Sequence, residues 1–455
     1  MATVTAPADI HAATPDDEAE KPAARRIEAL DFVRGVALFG ILLMNIVGAG
    51  LGPAYDNPTV AGGADGINLW TWVVVNIGFE GTQRALFSML FGAGIILFTS
   101  RLEAKGSADA ADIYFRRNLW LVAFGLVNAW VLLWVGDILF YYGITALFLY
   151  TFRKLAGRTL LALGIGALLL GAAWSALDAH RSLSAYEEAR AASAVPEAKR
   201  TEEQKGAIRA WEQKEEDFVP PPPAIEGMRK GITASYWSAL NSFGPQIKHF
   251  QSWNLYRYFF DIFGMMLIGM AFYKMGVLTL QLRRRVYLAM MLGGYAAGLA
   301  VGIWEVRWIM RHDFSLLAYQ QASITYDVSR LAMTLGHLGA LMLFLGTGLF
   351  PLLRHALACV GRMAFSNYIA HSVIALMIFV LLGYWGAFER HQLYLIVFAI
   401  WAVQLVVSPI WLKHYRFGPL EWLWRYLTYG KRPLFRRSEP AVAAEQGLEP
   451  EPALR

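Results

Sequence analysis

The chain has a single cysteine, Cys359, among 455 residues, so neither an intrachain disulfide nor a cysteine-based metal cluster can form. No GxxxxGKS/T phosphate loop, HExxH pair or GxSxG elbow occurs. ATP-driven transport, zinc proteolysis and α/β-hydrolase chemistry therefore have no handle in the sequence. The two halves show no convincing repeat, and an inverted-repeat transporter is not supported. Residues 1–24 are rich in Ala, Pro and acids and lack a basic region followed by an apolar run, so they read as a disordered cytoplasmic tail rather than a cleaved signal. Charge is also scarce, at 17% of residues against 56% hydrophobic. With a mean hydropathy of +0.38, the chain is too apolar for a soluble domain of this size.

Long apolar runs are what the chain has in abundance. They recur near 30–50, 83–100, 118–135, 138–152, 159–177, 255–275, 286–304, 331–350, 360–384 and 392–412, most of them near the ~20 residues that cross a bilayer. This predicts an all-α fold, a polytopic transmembrane helix bundle of about ten spans. The 68–80 stretch is too short to cross, and Trp70 and Trp72 suit an interfacial or re-entrant helix. Lys and Arg sort to one side of this topology: Lys21, Arg25 and Arg26; Arg101, Lys105, Arg116 and Arg117; Arg153, Lys154 and Arg158; Arg283 to Arg285; Arg354 and Arg362; and Lys413 to Arg437. Residues 51–68, on the other side, have none. The positive-inside rule then places both termini in the cytoplasm of a bacterial inner membrane. The lipid bilayer is the expected partner, and topology accounts for the net charge of +6 without nucleic-acid binding. The domain reading is a tail at 1–24, a membrane half at 25–177, a charged extracytoplasmic loop at 178–232 that ends in prolines, a second membrane half at 233–433 and a tail at 434–455.

Several polar side chains fall inside or beside these spans, where ionisable groups are costly and often mark a functional path. Asp31, Arg34 and Asn45 lie within roughly a 60° arc of the first helix. Asp31 and Arg34 read either as an ion pair orienting that helix or as part of a site. Asn45, roughly 21 Å from Asp31 along the axis, reads as a helix-to-helix bond or as a donor to a reacting group. Glu80 and Arg84 are spaced for an i, i+4 salt bridge, with Ser88 one turn on. Asp137 reads as a helix N-cap or as a general base beside a cavity. His337 and His371 fall at membrane depth, with Asn367 one turn before His371. Each is a helix-to-helix hydrogen bond or a proton-transfer group. The run 417–433 is aromatic and basic, with an i, i+4 pair of Glu421 and Arg425, and suits an anchor at the headgroups. No metal site is expected.

The blocks RIEALDFVRGVALFGILLMNI, FEGTQRALFSMLFGAGIIL, GDILFYYGI, GRMAFSNYIAHS and FGPLEWLWRYLTYGK together resemble the YeiB-like family of bacterial inner-membrane proteins, a domain of unknown function. The opening Arg26, Leu30, Asp31, Arg34 and Gly35 is also similar to the start of the heparan-glucosaminide acetyltransferase and acyltransferase-three families. In the latter a catalytic His lies eleven residues after the motif Arg, and in the former an active-site Asn takes that place. Here Asn45 stands there, as in the heparan type. The outer-loop His of those enzymes has its counterpart by spacing in Asp56, and no His occurs in 51–68. The resemblance implies acyl transfer across the membrane, with no bound cofactor and acyl-CoA as cytoplasmic co-substrate. Its phosphates would lie against Arg34, Arg116 and Arg117, and Asn45 would face the developing oxyanion. Asp56, Asp137 or a His would deprotonate a small-molecule, glycan or lipid acceptor from outside. The other expectation is a transporter or flippase of a small amphiphile that uses the same groups without chemistry.

Overall fold

The computed structural model describes residues 15–104 and 109–437. The apolar runs fold largely as helix, as they must where lipid offers the backbone no hydrogen-bond partner. In chain order the helices are α1 (Pro15–Leu51), α2 (Gly66–Phe79), α3 (Thr82–Ala104), α4 (Ala110–Trp130), α5 (Leu139–Leu149), α6 (Gly157–Ser193), α7 (Glu202–Phe218), α8 (Pro222–Ala234) and α9 (Tyr236–Gln251). They continue with α10 (Trp253–Lys274), α11 (Arg284–Arg311), α12 (Leu316–Ala322), α13 (Tyr326–Thr347), α14 (Pro351–Arg362), α15 (Ala364–Ala375), α16 (Arg390–His414) and α17 (Pro419–Tyr429). Among the described residues there is no strand, only an isolated bridge between Tyr415 and Arg436. The all-α bundle is as the sequence predicts.

By length and apolarity, seven segments of the described chain can cross a membrane, or eight if α9 and α10, bent by 62° where they join, count as one. The expected spans at 118–135 and 138–152 are not among them. They correspond to α4, which carries Asp112, Arg116 and Arg117, and to α5, whose 11 residues extend only about 16 Å. α2 and α3 follow each other as one long apolar segment. Trp72 of α2 is buried against Phe314, and Trp70 is exposed. α1 begins at Pro15, within the stretch assigned from composition to the first tail. Residues 1–14, Lys105 and residues 438–455 of the second tail lie outside the described residues.

The charged stretch 178–232 is largely helical and folded back. α6 runs for 37 residues, about 55 Å, so it extends well past a ~30 Å hydrocarbon core. α7 opens with a capping box between Thr201 and Gln204 and lays Trp211 against Tyr186 of α6. Pro222 sits in the first turn of α8, where a missing N–H costs nothing.

Small residues let the spans approach closely. A Cβ on Gly92 of α3 would stand 2.0 Å from the Met266 carbonyl oxygen of α10, and one on Gly269 would stand 1.9 Å from that of Met89. Gly35 and Gly361 bring α1 and α14 together in the same way. Gly94 and Gly293 have no neighbour there within 4 Å, so the packing explanation does not extend to them. α1 occupies the middle of the bundle, touching α3, α14, α15 and α16.

Candidate functional site

Along α1 one row of small residues, Gly40, Gly48 and Ala49, alternates with Met44 and Asn45, and Gly52 follows just past its end. Gln83 packs against Gly40 and Tyr55 against Gly48, and the lining residues enclose a cavity of about 970 Å³, at the top of the range usual for small-molecule sites. Its other walls are the α2–α3 turn, the 132–138 loop, α9, α10 and the ends of α11 to α13. The last wall is the π-helical turn Leu376–Leu381 after α15, an irregularity often found at functional sites.

The polar lining centres on three helices. Asp261 of α10 accepts from Arg330 of α13 at 2.7 Å and from Arg84 of α3 at 3.4 Å, and Arg330 also donates to Asp327 at 2.6 Å. The expected Glu80–Arg84 salt bridge is replaced: Arg84 goes to Asp261, and Glu80 accepts the hydroxyls of Tyr55 (3.2 Å) and Tyr326 (3.3 Å). The α2–α3 turn between them needs Gly81, whose φ is +66° and whose missing Cβ makes way for Tyr326 and Arg330. Glu305 of α11 accepts from Thr325 at 2.7 Å and Ser329 at 2.9 Å.

Asn45 and Asp56 stand apart from these groups. Both line the cavity, and neither side chain takes part in a hydrogen bond or ion pair among the described residues. The Asp56 backbone is fixed instead, its carbonyl accepting from Trp72 Nε1 at 3.1 Å and the Tyr319 hydroxyl at 2.7 Å. Enclosure pushes the Asp56 carboxyl up to about 6; the charge of Glu80 adds to this and Arg390 opposes it. Asp137 also lines the cavity, but its oxygens are occupied, by Asn128 Nδ2 and the Phe140 N–H, each at 2.8 Å. It caps the start of α5. Burial lifts its carboxyl to about 7 against those hydrogen bonds.

The remaining sequence candidates lie elsewhere. Ser88 is buried behind the wall, bonded to the Tyr142 hydroxyl at 2.7 Å and to the Arg84 carbonyl at 2.9 Å. His337 is bonded to the Gly78 carbonyl (2.7 Å) and the Tyr295 hydroxyl (3.0 Å). His371 meets Gln404 at 3.1 Å, Gln404 donates to the Asn367 carbonyl, and Asn367 donates to Ser408 and the Val360 carbonyl, each at 3.2 Å. Asp31 and Arg34 form the ion pair, at 2.6 Å. Arg116 pairs with Asp112 on the surface. Arg117 stacks on Trp424, 3.7 Å from the ring centre, and on Phe98. Arg34 and Arg425 lie within electrostatic reach of Arg117, and Arg34, Arg101 and Arg362 within reach of Asp31. Arg34 is about 16 Å along α1 from Asn45. The expected Glu421–Arg425 pair is not formed. Glu421 accepts the N–H groups of Phe365 (2.8 Å) and Ser366 (3.0 Å) at the start of α15, where the helix dipole favours an anion.

Sequence reading passed over Asp261, Glu305, Arg330 and His249 as site residues, although all four line the cavity. Asp261 is the lone carboxylate inside the 255–275 run, the signal that drew attention to Asp31. Glu305 and Arg330 fall one residue outside apolar windows, and His249 precedes one by six.

A family described as "Protein of unknown function (DUF418)" matches residues 272–431. The chain is 30% identical to "Uncharacterized protein YeiB" of Escherichia coli (strain K12), over 91% of this chain and 97% of that protein. It is 28% identical to "Uncharacterized protein YxaH" of Bacillus subtilis (strain 168), over 89% and 94%. A protein from Bacillus acidopullulyticus, "Uncharacterized 39.9 kDa protein in amylase 3'region", is 25% identical over 91% and 97%. No solved structure matches.

Proposed function

The chain belongs to the YeiB-like family, and on that footing we propose that it is a transmembrane acyltransferase. It moves an acyl group from cytoplasmic acyl-CoA to an acceptor entering the cavity from the other side. The observation that carries this reading is the state of α1. Its Asn45 faces the cavity with a free carboxamide, and eleven residues back, about 16 Å along the axis, Arg34 stands among five arginines. Arginine forks suit the phosphates of coenzyme A. Arg34, Arg101, Arg117, Arg362 and Arg425 are the group to hold them, with Arg116 beside Arg117 paired to Asp112 at the surface.

The chemistry follows from the free side chains. The acceptor hydroxyl or amine gives its proton to Asp56 as it attacks the thioester carbonyl. Asn45 Nδ2 donates to the oxyanion that forms. The tetrahedral species collapses with cleavage of the C–S bond, and the proton passes to the departing thiolate, leaving an ester or amide and free CoA. The clustering of Lys and Arg at one end supports an inner-membrane placement with both termini cytoplasmic. A second reading, transport without chemistry, draws on the Arg84–Asp261–Arg330 bridge, which ties three helices through one carboxylate in the manner of a conformational latch.

The experiment is to incubate purified protein with acyl-CoA species of increasing chain length and follow the released thiol, with Asn45→Ala alongside. Thiol release that Asn45→Ala abolishes is the expected result. Folded protein that neither binds nor consumes any acyl-CoA sinks the enzyme reading and leaves transport.

A further inference from the structure

Six carboxyl side chains line the described cavity wall, from Asp56, Glu80, Asp137, Asp261, Glu305 and Asp327, against two guanidiniums, from Arg84 and Arg330. Asp261 and Asp327 account for both arginines. No Lys or Arg among the described residues comes within salt-bridge distance of the other four. Asp137 is spent as a helix cap. Asp56, Glu80 and Glu305 therefore make no salt bridge among the described residues: Arg390 acts on Asp56 and Arg84 on Glu80 only from beyond that distance, and the direct contacts are hydroxyls or nothing. A second observation points the same way. Gln83 is 4% exposed and lines the cavity, yet its Oε1 has no donor among the described residues. The wall is thus short of positive charge, which must come from whatever fills it.

The aromatic lining narrows the chemistry. Tyr55, Tyr319 and Tyr326 line the same space as these acids. Tyr55 and Tyr326 hold Glu80 from both sides, and Tyr319 holds the Asp56 carbonyl. Carboxylates interleaved with electron-rich ring faces form the environment that binds an organic cation, the acid supplying charge and the rings the quadrupole. An anion would meet the surplus acids, and a neutral polyol would leave their charge uncompensated.

We propose that the molecule entering this cavity carries a cationic nitrogen, a protonated amine or quaternary ammonium, bound between Glu80, Glu305 and Asp56 and beside the rings of Tyr55 and Tyr319. As the acyl acceptor, it presents in addition a hydroxyl or second amine to Asn45. That role rests on the acyltransferase reading; the preference for a cation does not.

The test is binding, read as thermal stabilisation of the detergent-purified full chain, since a ligand of the native state alone raises the melting temperature by mass action. The probes are choline, its uncharged isostere 3,3-dimethylbutan-1-ol, ethanolamine and glycolate, at matched concentration and ionic strength. Choline or ethanolamine is expected to raise the melting temperature, while the uncharged isostere and glycolate leave it unchanged. In Glu80→Gln, which keeps the shape and the capacity to meet Tyr55 and Tyr326, the cation's affinity is expected to fall by about tenfold or more. Equal shifts from choline and its isostere, a larger shift from glycolate, or no shift with any cation overturns the proposal, and these comparisons need no variant to fold. Acyl-CoA turnover is scored separately. Cation-selective stabilisation without thiol release refutes the enzyme and keeps the cation site. Thiol release without cation selectivity does the reverse.

Discussion

Two buried polar regions of this bundle share residue types and differ in whether those residues are satisfied. Between α15 and α16, His371, Gln404, Asn367 and Ser408 pass hydrogen bonds along a closed chain, His371 being 1% exposed. Beside α1, Asn45 and Asp56 face a cavity of about 970 Å³ with no hydrogen-bond or salt-bridge partner for their side chains among the described residues. A polar residue inside a membrane helix must be paid for, and the closed chain shows one way of doing so: partners on the neighbouring helix. A polar side chain left open toward a cavity is held for something else. What singles out a site in such a bundle is therefore polarity without a partner rather than polarity itself.

The largest expected effect comes from breaking the partnered groups of the cavity wall. Arg330→Leu leaves Asp261 and Asp327 without their shared cation and is expected to cost about 3–5 kcal/mol of stability, read by thermal denaturation in detergent. A well-folded variant with unchanged melting would mean that the ion cluster is not formed. Next comes the open group. Asn45→Ala is expected to lower acyl transfer by about 10²- to 10³-fold while the melting temperature hardly moves, because no hydrogen bond is lost. A variant that is equally unstable and inactive would erase the distinction between the regions. His371→Leu should show the opposite pattern, losing about 1–3 kcal/mol of stability and keeping acyl transfer per folded molecule. Selective loss of activity there would move the site to the α15–α16 seam.

The smallest effects are pH dependences, and they separate two similar carboxyls. Asp56, at about 6 in the folded protein, acts as a base only when ionised. The transfer rate is expected to climb with a midpoint near 6 and level off above it, and a rate already flat through that range would remove Asp56 as the base. Asp137 has an ordinary value of 3.8 and a folded value of about 7, so between them the native state holds a proton that the unfolded chain has released. Its contribution to stability is fully present below about pH 4 and is lost as pH rises through about 7. Asp137→Asn should flatten that slope, as melting curves across the range would show.

Much of this architecture was legible in the sequence because lipid forces apolar runs into helices. α3, α6, α10, α11, α13 and α16 lie close to their expected positions. The count of ten spans exceeds what the helices support because α4 and α5 are apolar in part yet charged or short. The site was half legible. Asn45, Asp56, Glu80, Arg84 and Asp137 were singled out and share one cavity, whereas Ser88, His337, His371 and Asn367 were singled out for the same reason and sit in satisfied networks. Periodicity places a side chain on its own helix but not against another. The pairing of Arg84 with Asp261, 177 positions away, is a tertiary fact that spacing cannot supply, and the nearer Glu80 drew the inference instead.

The most direct test of the central claim, that the open Asn45 of α1 receives an acyl group delivered from the arginine end, is a cryo-electron microscopy structure of the protein with a non-transferable thioether analogue of acyl-CoA. The account predicts phosphate density among Arg34, Arg117 and Arg425 and the acyl end within hydrogen-bonding distance of Asn45. An analogue bound away from α1, or a saturated sample with both places empty, would contradict it.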